Sequence, residues 1–198
     1  MGDLQGLARV LPPAATLVTP QAPHSGLEWG YGPGWAWYRY LGHDVVDDAS
    51  LTSSLSALDS FLTALPDLLG FNPGPLVLGG FSQGGSTALA YALTKPGRVR
   101  GVAVLSGFLV NEDVLGVGSE SLGPTPVFWG HGTQDPAVPY ALALEGRERL
   151  LGAGVNLESH DYVMGHWVTP EEMDDLELWL SGVCLSCPPK PLPAAPAE

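Results

Sequence analysis

The chain has little positive charge and almost no cysteine. Its 198 residues include 8 Lys and Arg against 21 Asp and Glu, which gives a formal net charge of −13 at pH 7. A chain this acidic repels phosphate backbones and anionic bilayers, which argues against nucleic acid as a partner and against membrane attachment through basic residues. The two cysteines, Cys184 and Cys187, both lie near the C-terminus and provide no disulfide framework.

Long hydrophobic runs are missing as well. The longest, such as residues 76–78 and 102–105, are as short as strands. A membrane span needs about 18–20 residues, so stable membrane insertion is not expected. The first five residues show no basic segment leading into an apolar core, and no signal peptide is predicted. We expect a cytoplasmic protein with one globular domain over residues 1–183 and a proline-rich tail over residues 184–198.

Segments with strand and helix patterns alternate along the chain. Leucines recur at steps of four and three on one predicted helix face that Gly70 ends: Leu51, Leu55, Leu58, Leu62, Leu65 and Leu69. Strand-like runs cover residues 15–19, 76–80, 99–105, 126–129 and 155–159, and further helices are predicted over 84–93, over 140–151 and from Thr169-Pro170. Such alternation predicts an α/β fold with a mostly parallel sheet and helices on both faces.

The most informative segment is Gly80-Phe81-Ser82-Gln83-Gly84. It follows a predicted strand and opens a predicted helix, which is the context that a G-x-S-x-G nucleophile turn requires. A serine on so sharp a turn projects its hydroxyl from the sheet edge, where the backbone N–H of Gln83 can donate to a developing oxyanion. The alternative is a glycine-rich turn with a capping serine, but the flanking strand and helix favour the catalytic interpretation.

A serine hydroxyl needs a base, and the base needs an orienting acid. Asp135 follows one strand-like run, and His166 lies between another and the final predicted helix. Taken singly, Asp135 could be a turn aspartate before Pro136 and His166 a surface loop histidine. Their order after Ser82, each behind a strand, favours a Ser-His-Asp triad at one edge of the sheet.

These motifs resemble those of the phospholipase/carboxylesterase family of α/β-hydrolases, which includes acyl-protein thioesterases and small bacterial carboxylesterases. They read GFSQGG at residues 80–85, HGTQDPAVP at residues 131–139 and GH at residues 165–166, and the resemblance extends over residues 7–182. It implies the α/β-hydrolase fold, with Ser82 as nucleophile, Asp135 as acid and His166 as base. It also implies hydrolysis of small-molecule esters or thioesters without a metal or a cofactor.

One departure from the family pattern concerns the N-terminal part. Members usually carry an earlier central strand that ends in a His-Gly-x-Gly loop and supplies a second oxyanion N–H, and this chain has no such segment before Pro12. We therefore expect an N-terminally shortened sheet, an oxyanion hole with Gln83 as its one secure donor, and weak activity. Unpaired strand edges favour self-association, so a homodimer is expected.

Three tryptophans are candidates for the substrate pocket: Trp35, Trp37 and Trp167. For Trp35 and Trp37, packing within an aromatic-rich ordered loop over residues 21–42 is an equal alternative. His131 is interpreted as a loop histidine bonded to the backbone, because no second ligand stands at metal-site spacing. Three further histidines are expected to face solvent without partners: His24, His43 and His160.

The leading hypothesis is a carboxylesterase for short to medium acyl chains that works through an acyl-enzyme. A lysophospholipase or acyl-protein thioesterase is the alternative within enzymes, and it would need a longer acyl groove. A catalytically impaired hydrolase that serves as a binding module is the alternative from another class. The missing N-terminal strand supports that last alternative, whereas the intact Ser82, Asp135 and His166 argue against it.

Overall fold

The computed structural model describes residues 6, 8, 11–12, 15–42, 44–110 and 122–185, with side chains to residue 183. Its elements in chain order are β1 (His24–Ser25), β2 (Trp35–Ala36), α1 (Asp48–Leu69), β3 (Val77–Phe81), α2 (Gln83–Thr94), β4 (Gly101–Leu105), β5 (Val127–Gly132), α3 (Tyr140–Gly152), β6 (Leu157–Tyr162) and α4 (Pro170–Leu185). β3 to β6 form a four-stranded sheet in the order β3-β4-β5-β6. All three neighbouring pairs are parallel, which confirms the predicted parallel sheet.

The sheet is covered on both faces, as predicted. Alternate residues of a strand point to opposite faces, and in β4 the side chains of Val102 and Val104 join the core formed with α1, α2 and α3. Ala103 and Leu105 face the other way and pack against α4. β4 and β5 are buried along their whole length, which explains the continuous apolar runs over residues 101–105 and 127–129.

Helix α1 follows the predicted leucine periodicity. The Asp47 side chain caps its start by accepting a hydrogen bond from the Ser50 N–H at 2.8 Å. Gly70 ends it in the left-handed conformation, at a φ of 72°. Leu51, Leu58 and Leu65 are buried along one face. The predicted helix is confirmed, with its bounds extended by a few residues toward the N-terminus.

The predicted strand over residues 15–19 is wrong. These residues form no strand and are mostly exposed. A strand needs a neighbour for its backbone groups, and in the described part of the chain β3 forms a ladder with β4 alone. At the other end α4 runs through Leu185, two residues beyond the predicted domain limit, and the rest of the predicted tail lies outside the described residues.

The aromatic segment between residues 21 and 42 is ordered, as predicted. β1 and β2 pair antiparallel across a short 3-10 turn, Gly26–Trp29. Aromatic rings of this segment contact one another edge-on, among them Tyr38 and Tyr40 with centroids 5.4 Å apart. Tyr38 is fully buried and anchors the segment to the core on the α1 and α2 side. None of the described helices has the length and apolar character needed to cross a bilayer.

Candidate active site

Ser82 occupies a strained turn between β3 and α2. Its φ of 54° and ψ of −122° lie in a region that side-chain-bearing residues rarely adopt. The turn is possible because glycines let strand and helix approach. A Cβ added to Gly80 would lie 2.4 Å from the carbonyl carbon of Gly84, and one added to Gly85 would lie 2.7 Å from the Gly80 oxygen. The sequence GFSQGG thus encodes a close crossing that places Ser82 at its tip.

Backbone hydrogen bonds hold this turn and leave one donor next to the serine. The Ser82 N–H donates to the Leu105 carbonyl at 2.8 Å, and the Ser82 carbonyl accepts from the Ser86 N–H at 3.1 Å. Gln83 is the first residue of α2, and the first N–H groups of a helix have no acceptor within it. The Gln83 N–H therefore stands at the positive end of the α2 dipole, next to Ser82.

Asp135 and His166 meet beside the same sheet edge. Asp135 follows β5 and His166 follows β6, and Oδ2 of Asp135 lies 2.7 Å from Nδ1 of His166. Oδ1 of Asp135 accepts from the N–H groups of Ala137 and Val138, at 2.8 Å each. Burial alone would raise the pKa of Asp135, but the hydrogen bonds from Val138, His166 and Ala137 outweigh it and hold the pKa below its usual value. Asp135 is thus an ionised acceptor at neutral pH.

The ring of His166 connects this pair to the serine turn. It packs against the ring of Phe81, the residue before Ser82, with 4.6 Å between centroids. The carboxyl ends of parallel strands meet at one sheet edge, so the loops after β3, β5 and β6 bring Ser82, Asp135 and His166 into one region.

His131 supports the loop that carries Asp135 rather than a metal site. It lies fully buried on β5 rather than in the predicted loop, and its Nε2 lies 3.0 Å from the Val138 carbonyl, which confirms the predicted bond to the backbone. The same nitrogen lies 3.8 Å from Oδ2 of Asp135. Burial lowers the pKa of His131, so its imidazole is neutral and donates to Val138. Among the described residues no three His, Cys, Asp or Glu side chains group around a common metal position.

A cavity of about 580 Å³ opens beside Ser82. Five aromatic residues line it, Tyr31, Trp35, Trp37, Tyr40 and Phe81, and its other walls include Ser82, Gln83 and Val138. Trp35 and Trp37 thus line the space that a substrate group bound next to the serine would occupy. Trp167 is not among the described residues that line the cavity. Its indole covers Gly165, and the residue as a whole is 58% exposed, so its role in the pocket stays a prediction.

The remaining histidines differ in part from expectation. The prediction that His160 faces solvent without partners is wrong. Its ring stacks on Phe128 at 5.1 Å, and its nitrogens lie 3.0 Å from Glu158 and 3.3 Å from Asp175. The prediction is wrong for His24 as well, because the residue is half-buried, its Nε2 is buried, and its ring contacts Trp29 with centroids 4.7 Å apart. His43 lies outside the described residues. Glu158 and His160 lie two positions apart on β6, whereas Phe128 and Asp175 come from β5 and α4, and the sequence carries no signal that brings these separate elements to His160.

Two features near the site escaped the sequence-based predictions. The side chain of Gln83 forms two hydrogen bonds with the backbone of the aromatic segment. Its Oε1 accepts from the backbone N–H of Trp37 at 3.0 Å, and its Nε2 donates to the Tyr38 carbonyl at 3.2 Å. Glu172 on α4 is fully buried against Gly130 of β5. Glu172 belongs to an acidic run over residues 171–177, a pattern typical of a solvated helix face, and only its helical position indicates an inward-facing carboxyl.

Known proteins are similar to this chain in sequence and in fold. A family model described as Phospholipase/Carboxylesterase matches residues 5–183. Acyl-protein thioesterase 1 of Kluyveromyces lactis is 34% identical over 175 residues, which cover 83% of this chain and 76% of the relative. A probable carboxylesterase, SOBER1-like, of Arabidopsis thaliana is 31% identical over 168 residues, which cover 81% of this chain and 64% of the relative.

Solved structures agree on the architecture. The Bacillus cereus carboxylesterase superposes with a TM-score of 0.78 at 22% sequence identity, over 91% of this chain and 82% of that structure. At this identity the likeness shows the fold, while the sequence matches show the family. The chain therefore belongs to the phospholipase/carboxylesterase family of α/β-hydrolases and is an esterase or thioesterase.

Proposed function

We propose that the protein hydrolyses carboxylic esters of short to medium acyl chains, with Ser82 as nucleophile, His166 as base and Asp135 as orienting acid. One observation carries the proposal. The Asp135–His166 pair, at 2.7 Å, stands at the sheet edge where Ser82 occupies its strained turn, and the His166 ring packs on the residue before that serine. A loop histidine and a turn aspartate without catalytic roles would have no reason to meet there.

The catalytic roles of the atoms follow from the hydrogen bonds that they already form. Nδ1 of His166 is bound to Asp135, so Nε2 is the nitrogen left to take the hydroxyl proton of Ser82. The Ser82 Oγ then bonds to the carbonyl carbon, and the carbonyl oxygen becomes an oxyanion that the Gln83 N–H stabilises. The protonated His166 returns the proton to the leaving alcohol or thiol, and the acyl group stays on Ser82.

Deacylation repeats these steps with water. His166 takes a proton from water, and the resulting hydroxide oxygen bonds to the acyl carbon. The bond to the Ser82 Oγ breaks, and that oxygen recovers its proton from His166. Ser82 gives its proton to the leaving alcohol or thiol and regains one from water, so each cycle consumes one water molecule and returns the three residues to their starting protonation states.

The cavity supports small substrates. Its volume of about 580 Å³ falls within the roughly 300–1,000 Å³ of small-molecule pockets. Trp35, Trp37 and Phe81 provide apolar surface for an acyl chain. The name of the Kluyveromyces lactis relative favours a second candidate, hydrolysis of an acyl thioester. A comparison of kcat/KM between S-butyrylthiocholine and p-nitrophenyl butyrate in the same preparation separates the two.

Labelling with a fluorophosphonate tests the proposal. The adduct should be stoichiometric, should map to Ser82 and should disappear in Ser82→Ala. Ser60→Ala removes an exposed hydroxyl on α1 and serves as the matched control that keeps the adduct. Labelling at another residue would contradict the assignment, and an unlabelled, inactive but folded protein would favour the binding-module alternative.

A further inference from the structure

Polar groups of two helices hold residues 37–39 of the aromatic segment between them. From α1, Ser54 Oγ donates to the Trp37 carbonyl, and Ser50 Oγ accepts from the Arg39 N–H at 3.0 Å. From α2, Gln83 binds both the Trp37 N–H and the Tyr38 carbonyl. The α2 contact is the one that links this segment directly to the nucleophile turn, because Gln83 follows Ser82.

A neutral amide side chain satisfies both backbone groups at this place. The Trp37 N–H needs an acceptor and the Tyr38 carbonyl needs a donor, and one Gln carboxamide offers an oxygen and an NH₂ group side by side. A carboxylate offers acceptors only, and an aliphatic side chain offers neither. Tyr38 is fully buried, so water cannot readily replace the amide.

The same residue therefore serves two sides of the cavity. Its backbone N–H stands beside Ser82, and its side chain fixes Trp37, whose indole lines the cavity with Trp35. The Trp37 Nε1 also lies 3.9 Å from where a Cβ on Gly84 would be, so the indole rests close to the start of α2.

We propose that the Gln83 side chain is a positioning residue that locks the aromatic wall of the acyl site onto the nucleophile turn and holds the Gln83 N–H in line for the oxyanion. This inference rests on the proposed function, since it takes Ser82 as the nucleophile. It assigns to the amide a role separate from that of the backbone N–H, and it predicts that turnover and substrate binding change together when the amide is lost.

Three variants test the role. Gln83→Leu keeps the side-chain volume but removes both hydrogen bonds, and kcat/KM for p-nitrophenyl butyrate should fall roughly tenfold or more. The loss should appear as a raised KM and a lowered kcat. Ser54→Ala loosens Trp37 from the α1 side without touching the turn, so it should raise KM with little change in kcat. Thr87→Val removes a hydroxyl that bonds to the Gln83 carbonyl at 2.7 Å and leaves both bonds of the amide in place, so it should stay within about twofold of wild type.

Gln83→Glu gives a rate ratio whose pH dependence would stay flat if the side chain had a merely structural role. A protonated carboxyl can accept from Trp37 and donate to Tyr38, as the amide does, whereas the ionised form cannot donate. The rate of Gln83→Glu relative to wild type at the same pH should therefore rise as pH falls toward 5. The relative rate of Gln83→Leu should stay constant over that range. Division by the wild-type rate removes from the comparison the pH effects that both proteins share.

The outcomes separate this inference from the proposed function. Fluorophosphonate labelling of wild type at Ser82 is measured first, and its absence would defeat the proposed function itself. With labelling present, a Gln83→Leu rate within twofold of wild type would overturn the positioning role. If circular dichroism shows that Gln83→Leu is misfolded, the pH-dependent recovery of Gln83→Glu decides, and a flat ratio would equally overturn the role.

Discussion

Asp135 binds His166 through only one of its two carboxylate oxygens. Oδ2 lies 2.7 Å from Nδ1 of His166, while Oδ1 accepts from the N–H groups of Ala137 and Val138. Both oxygens are thus committed as acceptors. The division fixes the carboxylate in the loop and requires Nδ1 of His166 to carry a proton.

The first prediction follows from this division of roles. In Asp135→Asn the amide oxygen should keep the two backbone N–H groups, which turns the NH₂ group toward Nδ1 of His166. His166 must then carry its proton on Nε2, the wrong tautomer for a base, and kcat should fall by about 10⁴. Steady-state hydrolysis of p-nitrophenyl butyrate measures the loss. In Ser82→Ala the further change Asp135→Asn should cost almost nothing, because the residues act as a unit.

The fold was predictable wherever a periodic pattern or an apolar run determines an element. The leucine spacing of α1 and the apolar runs of β4 and β5 each report one burial pattern that a sequence displays directly. The run at residues 15–19 has the same appearance but forms no strand. Strand formation depends on a partner, and partnership is a property of the assembled sheet.

The site was predictable where motif and topology coincide. Ser82 could be placed by its glycines, and Asp135 and His166 by the strands they follow. The side-chain bonds of Gln83 and the burial of Glu172 join residues more than 40 positions apart in sequence, and a single sequence contains no record of such contacts. These contacts had to be read from the structure.

The second prediction concerns the crossing of β3 and α2. Gly80→Ala should prevent the turn from closing, because its Cβ would lie 2.4 Å from backbone atoms of Gly84 that cannot move aside. We expect the free energy of unfolding to drop by about 3 kcal/mol or more, with loss of labelling at Ser82. Gly74→Ala is the matched control, since nothing lies within 4 Å of its added Cβ. Urea unfolding of both variants measures the difference, and equal midpoints would contradict the prediction.

The third prediction concerns the outer edge of β3. The Ser82 N–H bonds to Leu105, so by alternation the N–H groups of Val77, Gly79 and Phe81 point away from β4. In the described part of the chain no other strand pairs with them. We expect self-association through this edge into a homodimer. Sedimentation velocity should show a dimer at high concentration, and amide exchange at these three positions should slow as concentration rises. A monomer at all concentrations would rule the association out.

The fourth prediction concerns the buried carboxyl of Glu172. Both of its oxygens are buried without a hydrogen-bond partner in the described part of the chain, and Oε1 lies 2.1 Å from where a Cβ on Gly130 would be. Burial raises the pKa of Glu172 to about 8. The nearby backbone of Thr169 and the positive charge of Arg147 oppose that rise in pKa, and the negative charge of Asp175 adds to it. Glu172 is therefore protonated in the folded protein at neutral pH.

A raised carboxyl pKa makes the folded state bind more protons than the unfolded state between about pH 4.5 and 8. The free energy of unfolding must then decrease as pH rises through this window and level off above it. Glu172→Gln has no such proton to retain, so it should gain on wild type with rising pH, by on the order of a few kcal/mol at pH 8. Glu177→Gln, which changes an exposed carboxyl of α4, is the matched control and should follow the wild-type slope. Urea unfolding at pH 5, 6, 7 and 8 gives the three slopes. If Glu172→Gln runs parallel to the other two, the buried carboxyl does not titrate as its surroundings require.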